Sequence, residues 1–500
     1  MEAKTKKVLK ITGITLGSLI GLVLIIVAVA CWLIFSSAGL TKVAEKALDK
    51  YSPARAKIDD VDLKLVKTYP FLGFRLNGLV IYDDMEDSPY DTLAAINELT
   101  VTVDFKTLYK EKKIILTNLF VNGIYANVFS ASDGRSNLDV FGTSDDKDTV
   151  RDDSDMNIYA DLQKIFINDV NASYKDLQSG IDAGISGIDI DLKGLLNYDS
   201  LDARANLKLA ALKAVISNDS IDAAATLNDL RLTGNLAKYK DDIDADIKLT
   251  LKESTARSGT MDADLNDLTL DINDLSFILG KEGLNDLMAG LAMTAKDLKF
   301  SSDGMSTSTG AISMKADKAI YTGDSINITG FVFDSRTIGL NLVDSAGAVS
   351  VASVDKVNLG IDGGLKLDMT SVDTGLELTL EGTRFESGGE SPMSVVTDNV
   401  SFIADGRING KDVELNSTFA TPAINLTMGG DVYVPGWPLS LTVPLETTMD
   451  MDRFNIKEGA NINIDGQKIG FSANGTLGGQ QAVAGRARIK TINNLDIDRL

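Results

Sequence analysis

Apolar and polar residues alternate with a period of two through most of the chain after residue 54. An alternation of this kind predicts β-strands with one apolar face and one charged face. Gly, Asn, Asp and Ser separate the alternating segments, as is typical of hairpin turns. A spacing of 8–12 residues per strand predicts on the order of 35–45 strands. The clearest segments are 188–192, 201–209, 243–251, 365–369, 376–380 and 461–465.

Proline is almost absent from the alternating region. None occurs between Tyr90 and Ser391, so no residue there is unable to donate a ladder hydrogen bond. This distribution predicts a long antiparallel meander. Pro435, Pro438 and Pro444 predict an irregular crossing or a sheet edge near the end of the chain.

The predicted fold is mainly β: an N-terminal transmembrane helix, then a long antiparallel sheet, with a few short helices. A flat sheet of so many strands would twist strongly, so we expect it to curl, coil or split. If it curls with its apolar faces inward, it forms an elongated hydrophobic groove. The alternative, a closed core filled by the same side chains, stays open. The candidate groove residues are Val101, Val103, Phe105, Ile188, Ile190, Leu192, Ile243, Ile247, Leu249, Leu251, Leu376, Leu378 and Leu380.

Two segments have helical spacing instead. Leu40, Val43, Ala44, Ala47 and Leu48 predict a short amphipathic helix that ends at Ser52-Pro53. The spacing of Leu284, Leu287, Met288 and Leu291 predicts a second short helix over residues 280–291.

The segment 11–35 contains 25 residues without charge or proline. A helix of this length is about 37 Å long, enough to cross a hydrocarbon core of about 30 Å. Lysines are concentrated before it, which predicts a cytoplasmic N-terminus at residues 1–10 and an extracytoplasmic remainder. A cleaved signal peptide is the alternative, but signal-peptide apolar regions run about 7–15 residues. A lipoprotein cleavage site before Cys31 is also conceivable, although residues 32–35 continue the apolar run.

Composition excludes several classes of function. The net charge of −22 argues against nucleic acid and anionic lipid headgroups as partners. The chain has no histidine, and its one cysteine, Cys31, lies in the apolar segment, so histidine-based catalysis, a disulfide framework and Cys or His metal sites are not expected. No nucleophile motif or nucleotide-binding fingerprint occurs in a suitable context. We therefore expect neither catalysis nor a cofactor nor a metal.

An acidic run, residues 145–155, lies in the region between the first strands and the main sheet. Its carboxylates could bind calcium, but it lacks the ligand spacing of a calcium loop. A solvated linker over 144–157 is therefore the favoured interpretation.

Residues 55–141 resemble the N-terminal region of the bacterial AsmA family. The resemblance starts with the strand 56–65 and continues through Tyr69-Pro70-Phe71 to Leu79, where a proline precedes a light apolar strand. It includes the strand-like segment 99–108, which precedes the basic turn 110–113 and the strand 114–120. It ends at Asp133-Gly134 followed by Asn137, similar to the family's Asp-Gly-x-x-Asn sequence. A second similar segment runs from 165 to 194, and the specific motifs together cover roughly a quarter of the chain.

The resemblance implies an inner-membrane anchor, a periplasmic β-groove of the bridge-like lipid transfer type, and phospholipid acyl chains as ligand. It also implies a role in phospholipid transport and outer-membrane biogenesis, with an outer-membrane or periplasmic protein as partner. The alternative is a non-catalytic anchored scaffold that modulates assembly or targeting of outer-membrane proteins. Unlike the family, the chain stops at residue 500 within a strand-like pattern, so we expect a longer gene product. The predicted divisions are a cytoplasmic N-terminus at 1–10, a transmembrane anchor at 11–35 and an AsmA-like N-terminal β unit at 36–143. They continue with the acidic linker at 144–157, the main β-groove at 158–434 and a further β segment at 435–500.

Overall fold

The structure is a computed structural model that describes residues 41, 44, 46, 48, 54–64, 71–111, 114–141, 158–196, 200–280, 283–476 and 482–489. Contacts divide the chain into two compact units, Met1–Lys240 and Asp241–Leu500. The predicted membrane segment 11–35 and the acidic linker 144–157 lie outside the described residues. Among the helices that are described, none is long and apolar enough to cross a bilayer.

Unit 1 is built mainly of strands. Its strands are β1 Ala56–Lys57, β2 Asp60–Lys64, β3 Phe71–Tyr82, β4 Thr92–Asp104, β5 Ile114–Ser130, β6 Ile158–Asp176, β7 Ile181–Leu196, β8 Ser200–Ser217 and β9 Asp222–Tyr239. Its described helices are α1, Phe105–Glu111, and a 3-10 helix, Asn137–Phe141. Thr41, Ala44, Lys46 and Leu48 are also helical, in agreement with the amphipathic helix predicted there.

Unit 2 contains only strands among its described elements. They are β10 Asp242–Ser258, β11 Met261–Gly280, β12 Gly283–Ala295, β13 Asp297–Ser302, β14 Met305–Thr309, β15 Ile312–Tyr321, β16 Ser325–Val343, β17 Val349–Lys366, β18 Ser371–Ser387, β19 Met393–Asn409, β20 Asp412–Met428, β21 Asp431–Thr448, β22 Arg453–Ile456, β23 Asn461–Ile464, β24 Gln467–Thr476 and β25 Ala482–Ile489. The prediction of a mainly β protein is therefore confirmed. The strands are longer and fewer than the spacing predicted, because one strand such as β11 runs for 20 residues through two alternating segments.

Most strands pair antiparallel with their neighbours in the chain, as the meander predicts. Some strands pair across an intervening one, for example β11 with β13 and β12 with β15. Among the described pairs, β5 with β6 is the parallel one, from Ile114↔Ile158 to Ser130↔Asp176. A parallel pair needs a crossover of about a dozen residues or more, and residues 131–157 supply it. The predicted linker falls inside this crossover, between two strands that are hydrogen-bonded to each other. The predicted domain boundaries remain a prediction.

Two local predictions are wrong. Gly280 ends β11 and residues 283–291 belong to β12 instead of a helix, because Leu287 and Leu291 pair with Phe277 and Ile272 of β11. The ladder and apolar contacts of a paired strand override a helical spacing. The strand expected through Leu108 ends at Asp104, whose carboxylate accepts hydrogen bonds from the amides of Lys106 and Thr107 and caps α1.

The closed core of the protein lies in the first strands of unit 1. Leu76, Leu99 and Val101 are buried there, and the helical residues Ala44 and Leu48 pack in the same cluster. Among the described residues beyond 200, the fully buried apolar side chains larger than alanine are Leu209, Leu251 and Val372. The other described apolar side chains larger than alanine in those later strands are half-buried or exposed.

The hydrogen-bonded register is interrupted along lines that cross neighbouring strands, which we call bulge lines. In unit 1 one line crosses β3 to β9 at Gly78, Asn97, Gly123, Asp169, Gly187, Ala210 and Asp229. In unit 2 the first bulge line crosses β10 to β12 and β15 to β17 at Asp246, Asp274, Gly290, Asp317, Gly330 and Asp362. The second bulge line crosses β10 to β21 at Lys252, Asp267, Lys296, Gly310, Thr337, Asp355, Gly382, Asp398, Pro422 and Pro438.

The predicted irregularity at the C-terminal prolines has a structural counterpart. Pro435, Pro438 and Pro444 all lie in β21, which pairs along its length with β20 through several register shifts. Pro438 falls on the second bulge line, where the regular ladder is already interrupted. A residue without an N–H is therefore tolerated inside this strand.

Candidate functional site

An uninterrupted row of apolar residues crosses unit 2, each directly opposite the next on the neighbouring strand. We call it the central row. Its members are half-buried: none is enclosed in a core, and none is fully exposed. The residues are Leu249, Leu270, Met293, Met314, Phe333, Leu359, Leu378, Phe402, Phe419, Leu441, Ile462 and Ile469.

Direct cross-strand partners point to the same face of a sheet, so the central row defines one apolar face. At about 4.8 Å per strand, the row extends for about 50 Å. Rows on either side of it repeat the pattern, for example Ile361, Leu376 and Ala404. The opposite face carries charge, as at Lys248 and Glu377, which are exposed.

The predicted groove residues of unit 2 lie on or beside this row. Leu249 and Leu378 belong to the central row, and Ile247, Leu376 and Leu380 occupy the neighbouring positions on the same face. Ile243 is half-buried near the start of β10, and Leu251 is the one buried member, with 7% of its surface exposed. The structure therefore brings two segments that are distant in sequence onto one face.

The predicted residues of unit 1 fall into two environments. Val101 and Val103 are fully buried in the closed core, with 1% and 0% of their surfaces exposed. Phe105 lies in helix α1 instead of a strand, which corrects its predicted position. Ile188, Ile190 and Leu192 lie on β7 opposite Leu209, Leu207 and Ala205, and all three are half-buried.

Unit 1 has an apolar row of its own, whose side chains are buried on the first strands and half-buried on the later ones. Leu76, Leu99 and Val121, on β3 to β5, are buried. The row continues onto β6 to β9 through Ile167, Ile190, Leu207 and Leu232, all half-buried. Ala44 and Leu48 belong to the same buried cluster as the apolar residues of β3 to β5 and cover them.

Sequence reasoning missed the aromatic residues of the central row. Phe333, Phe402 and Phe419 lie next to half-buried aliphatic partners but occur in strands whose alternation is less regular. Val332 and Ile403, their chain neighbours, are apolar as well and are exposed on the other face. Two consecutive apolar residues hide which of them faces inward, so only the register reveals it.

Metal binding and the chemical character of the apolar face bear on what the described residues can do. No group of three potential ligands among them is placed to hold a metal ion. The central row, which a ligand on the apolar face would contact, consists of aliphatic, phenylalanine and methionine side chains. The arrangement can shield apolar chains from water.

Comparison of the chain with protein-family models, with curated proteins and with solved structures gives no match.

Proposed function

We propose that this protein is a non-catalytic lipid carrier that holds phospholipid acyl chains against the apolar faces of its sheets. The observation that carries the proposal is the central row: twelve consecutive positions of large apolar side chains, all half-buried. Residues of a closed core would be buried, as Leu76 and Leu99 are. A surface without a ligand would expose an apolar area of this size at a considerable cost in free energy.

The free-energy gain for such a ligand is large enough to need no polar contact. Burial of one methylene group contributes about 0.8 kcal/mol, so a single acyl chain of ordinary length gains on the order of 10 kcal/mol before the cost of ordering. The length of the row, about 50 Å, exceeds that of one extended acyl chain. Chains can therefore occupy successive positions along the sheet.

Headgroups are expected to remain in water. The face opposite the central row carries charged residues, and the net charge of −22 disfavours contact with anionic headgroups. Binding is thus directed to the hydrocarbon part of the lipid. This fits a carrier that discriminates weakly between headgroups.

The sequence supports a place of action at the inner membrane. The apolar segment 11–35 and the preceding lysines support a single inner-membrane anchor with the bulk of the chain in the periplasm. The resemblance of residues 55–141 to the AsmA family supports transport of phospholipid between inner and outer membranes and a role in outer-membrane biogenesis.

The test compares two neighbouring residues on opposite faces of β19. Phe402 belongs to the central row, and Ile403 is 44% exposed on the other face. The full chain is purified in mild detergent and analysed by native mass spectrometry and lipid extraction. We expect phospholipid to co-purify with the wild type and with Ile403→Asp, and Phe402→Asp to lose most of it while retaining its circular dichroism.

A folded wild type without lipid would contradict the proposal. It would favour the alternative function, an anchored scaffold that modulates assembly or targeting of outer-membrane proteins. Equal lipid loss in Phe402→Asp and Ile403→Asp would show that lipid binding does not depend on the apolar face of the sheet.

A further inference from the structure

The two bulge lines of unit 2 are built from one recurring backbone arrangement. At the first line Asp274 has a φ of 52°, and its amide donates a hydrogen bond to Oδ1 of Asp246 on the neighbouring strand, at 3.0 Å. Gly330 has a φ of 64°, and its amide donates to Oδ1 of Asp362. Each left-handed residue is thus held by a carboxylate from the next strand. A positive φ is costly for Asp, so these positions are specified by their surroundings.

The second bulge line repeats the arrangement further along the same strands. Asp267 and Thr337 have φ values of 48° and 56°. Gly382 has a φ of 61°, and a Cβ at this position would lie 2.1 Å from Oδ2 of Asp355. Both lines therefore contain left-handed residues, and an acidic side chain packs against Gly330 in one and Gly382 in the other.

Bulges bend a strand and increase its local twist. When the bulges of neighbouring strands lie side by side, the bends add into a bend of the whole sheet. The two lines are seven residues apart on three strands, as the pairs Asp267 and Asp274, Gly330 and Thr337, and Asp355 and Asp362 show. At about 3.3 Å per residue, the strip between them is about 23 Å wide.

The apolar face continues across the first bulge line. Ile272 and Leu275 are three residues apart, and a regular strand would place them on opposite faces. They pair with Ile247 and Ala245, which are half-buried and buried, so both stay on the apolar side. The left-handed residue between them corrects the alternation.

We propose that, from β10 to β17, the two bulge lines are the bends of an apolar groove whose floor is the strip carrying the central row, and that their residues fix the groove's width. Two sheets packed face to face lie about 10 Å apart. A floor of about 23 Å keeps the walls too far apart to close on each other, which accounts for the half-buried central row from Leu249 to Leu359. The width sets how many acyl chains lie side by side, and this last step rests on the proposed function.

The test measures the bend directly in β17, which both lines cross. Spin labels are placed at Val349→Cys and Lys366→Cys, two exposed positions at the ends of this strand, with Cys31→Ser to remove the native thiol. A straight strand would separate these positions by about 56 Å. We expect a clearly shorter distance by double electron–electron resonance in the full chain.

Gly330→Val and Gly382→Val should lengthen this distance by roughly 5 Å or more, because they disfavour the left-handed conformation of the bulges. Gly410→Val is the matched control: its φ of 62° is similar, but no atom lies within 4 Å of the new Cβ, and it sits in a hairpin turn. In case the valine variants do not fold, Asp362→Ala removes the carboxylate that accepts from Gly330, and Asp362→Asn keeps an acceptor and should restore the wild-type distance.

Each outcome decides the inference. An unchanged distance in folded Gly330→Val, Gly382→Val and Asp362→Ala, or a wild-type distance near that of a straight strand, overturns it whatever lipid is bound. A longer distance with an at least twofold change in lipids bound per protein, counted by native mass spectrometry, supports it. A longer distance with unchanged lipid count overturns the role in width. A longer distance in a protein that never binds lipid supports the bends and contradicts the proposed function.

Discussion

The hydroxyl oxygens of Thr397 and Thr421 lie 2.6 Å apart between β19 and β20, where the second bulge line crosses these strands. Both side chains are buried, with 6% and 3% of their surfaces exposed. Thr102 and Thr117 form the same kind of buried pair in unit 1, at 2.8 Å. In each pair, the two buried hydroxyls thus have a hydrogen-bond partner on the neighbouring strand.

Removal of one hydroxyl should loosen β19 and β20 locally. We expect Thr397→Val to lower the local opening free energy by about 1–2 kcal/mol, because the partner hydroxyl loses a buried hydrogen bond. Hydrogen–deuterium exchange of the β19 and β20 amides measures this. The double variant Thr397→Val/Thr421→Val should cost less than the sum of the single variants, and Thr233→Val, at an exposed position, should change nothing. Strict additivity would contradict a direct interaction.

The same substitution should have different costs in the closed core and in the central row. Leu99 is 3% exposed, so Leu99→Ala should destabilise unit 1 by about 2–5 kcal/mol. Leu378 is half-buried, and Leu378→Ala should cost about 1 kcal/mol, because part of its side chain is already in contact with solvent or ligand. Urea denaturation of lipid-free protein compares them. Equal costs would place the central row in a closed core and count against the groove.

The cap of helix α1 should depend on pH. Burial acts to raise the pKa of Asp104, but hydrogen bonds from Thr107 and Lys106 outweigh it and hold this pKa below its usual value of 3.8. A folded pKa below the unfolded one means that the cap contributes stability at neutral pH and loses it as the pH falls through the folded pKa. Asp104→Ala should cost about 1 kcal/mol at pH 7, and Asp104→Asn less. Hydrogen–deuterium exchange of the α1 amides compares the wild type with the two variants. Equal exchange rates in the three proteins would refute the capping role.

The phenol of Tyr174 should lose its proton at a higher pH than an ordinary tyrosine. Burial raises the pKa of Tyr174 to about 12, and the carboxylate of Asp176, which accepts a hydrogen bond from the phenol, acts in the same direction. Since the folded pKa lies above the ordinary value of 10, its contribution to stability is present below pH 10 and is lost as the pH rises toward 12. Near-ultraviolet absorbance follows the titration, with Tyr174→Phe to identify the signal. Asp176→Asn should lower the pKa, and a pKa of 10 in the wild type would contradict the prediction.

Several features of the fold could be read from residue patterns. The alternation at 243–251 and 376–380 correctly predicted strands with one apolar face, because side chains alternate along any strand. The sequence Leu-Asn-Asp-Leu is repeated at 227–230, 265–268 and 284–287, but the repeat alone does not reveal a structural role. The structure shows that the third residues of the first two copies, Asp229 and Asp267, adopt positive φ and form bulges. Asp tolerates this conformation better than most residues, which makes the pattern a usable signal.

Other features could not be read in this way. The helix predicted over 280–291 became a strand because its partners on β11 lie outside the segment. The division between buried Val101 and half-buried Leu378 also has no local signal, since both belong to similar alternating segments. Burial depends on what packs above a face, and that is a property of the whole unit.

The sequence by itself determined the strand class, the apolar and charged faces and the absence of histidine chemistry, because each of these depends on residue type and local period. Only the tertiary structure decided the register that aligns Leu249, Phe333 and Leu441 in one row, the parallel pairing of β5 with β6, and the alignment of bulges across strands. These are relations between segments far apart in the chain. Their free energy comes from cross-strand hydrogen bonds and side-chain contacts, which no single segment contains.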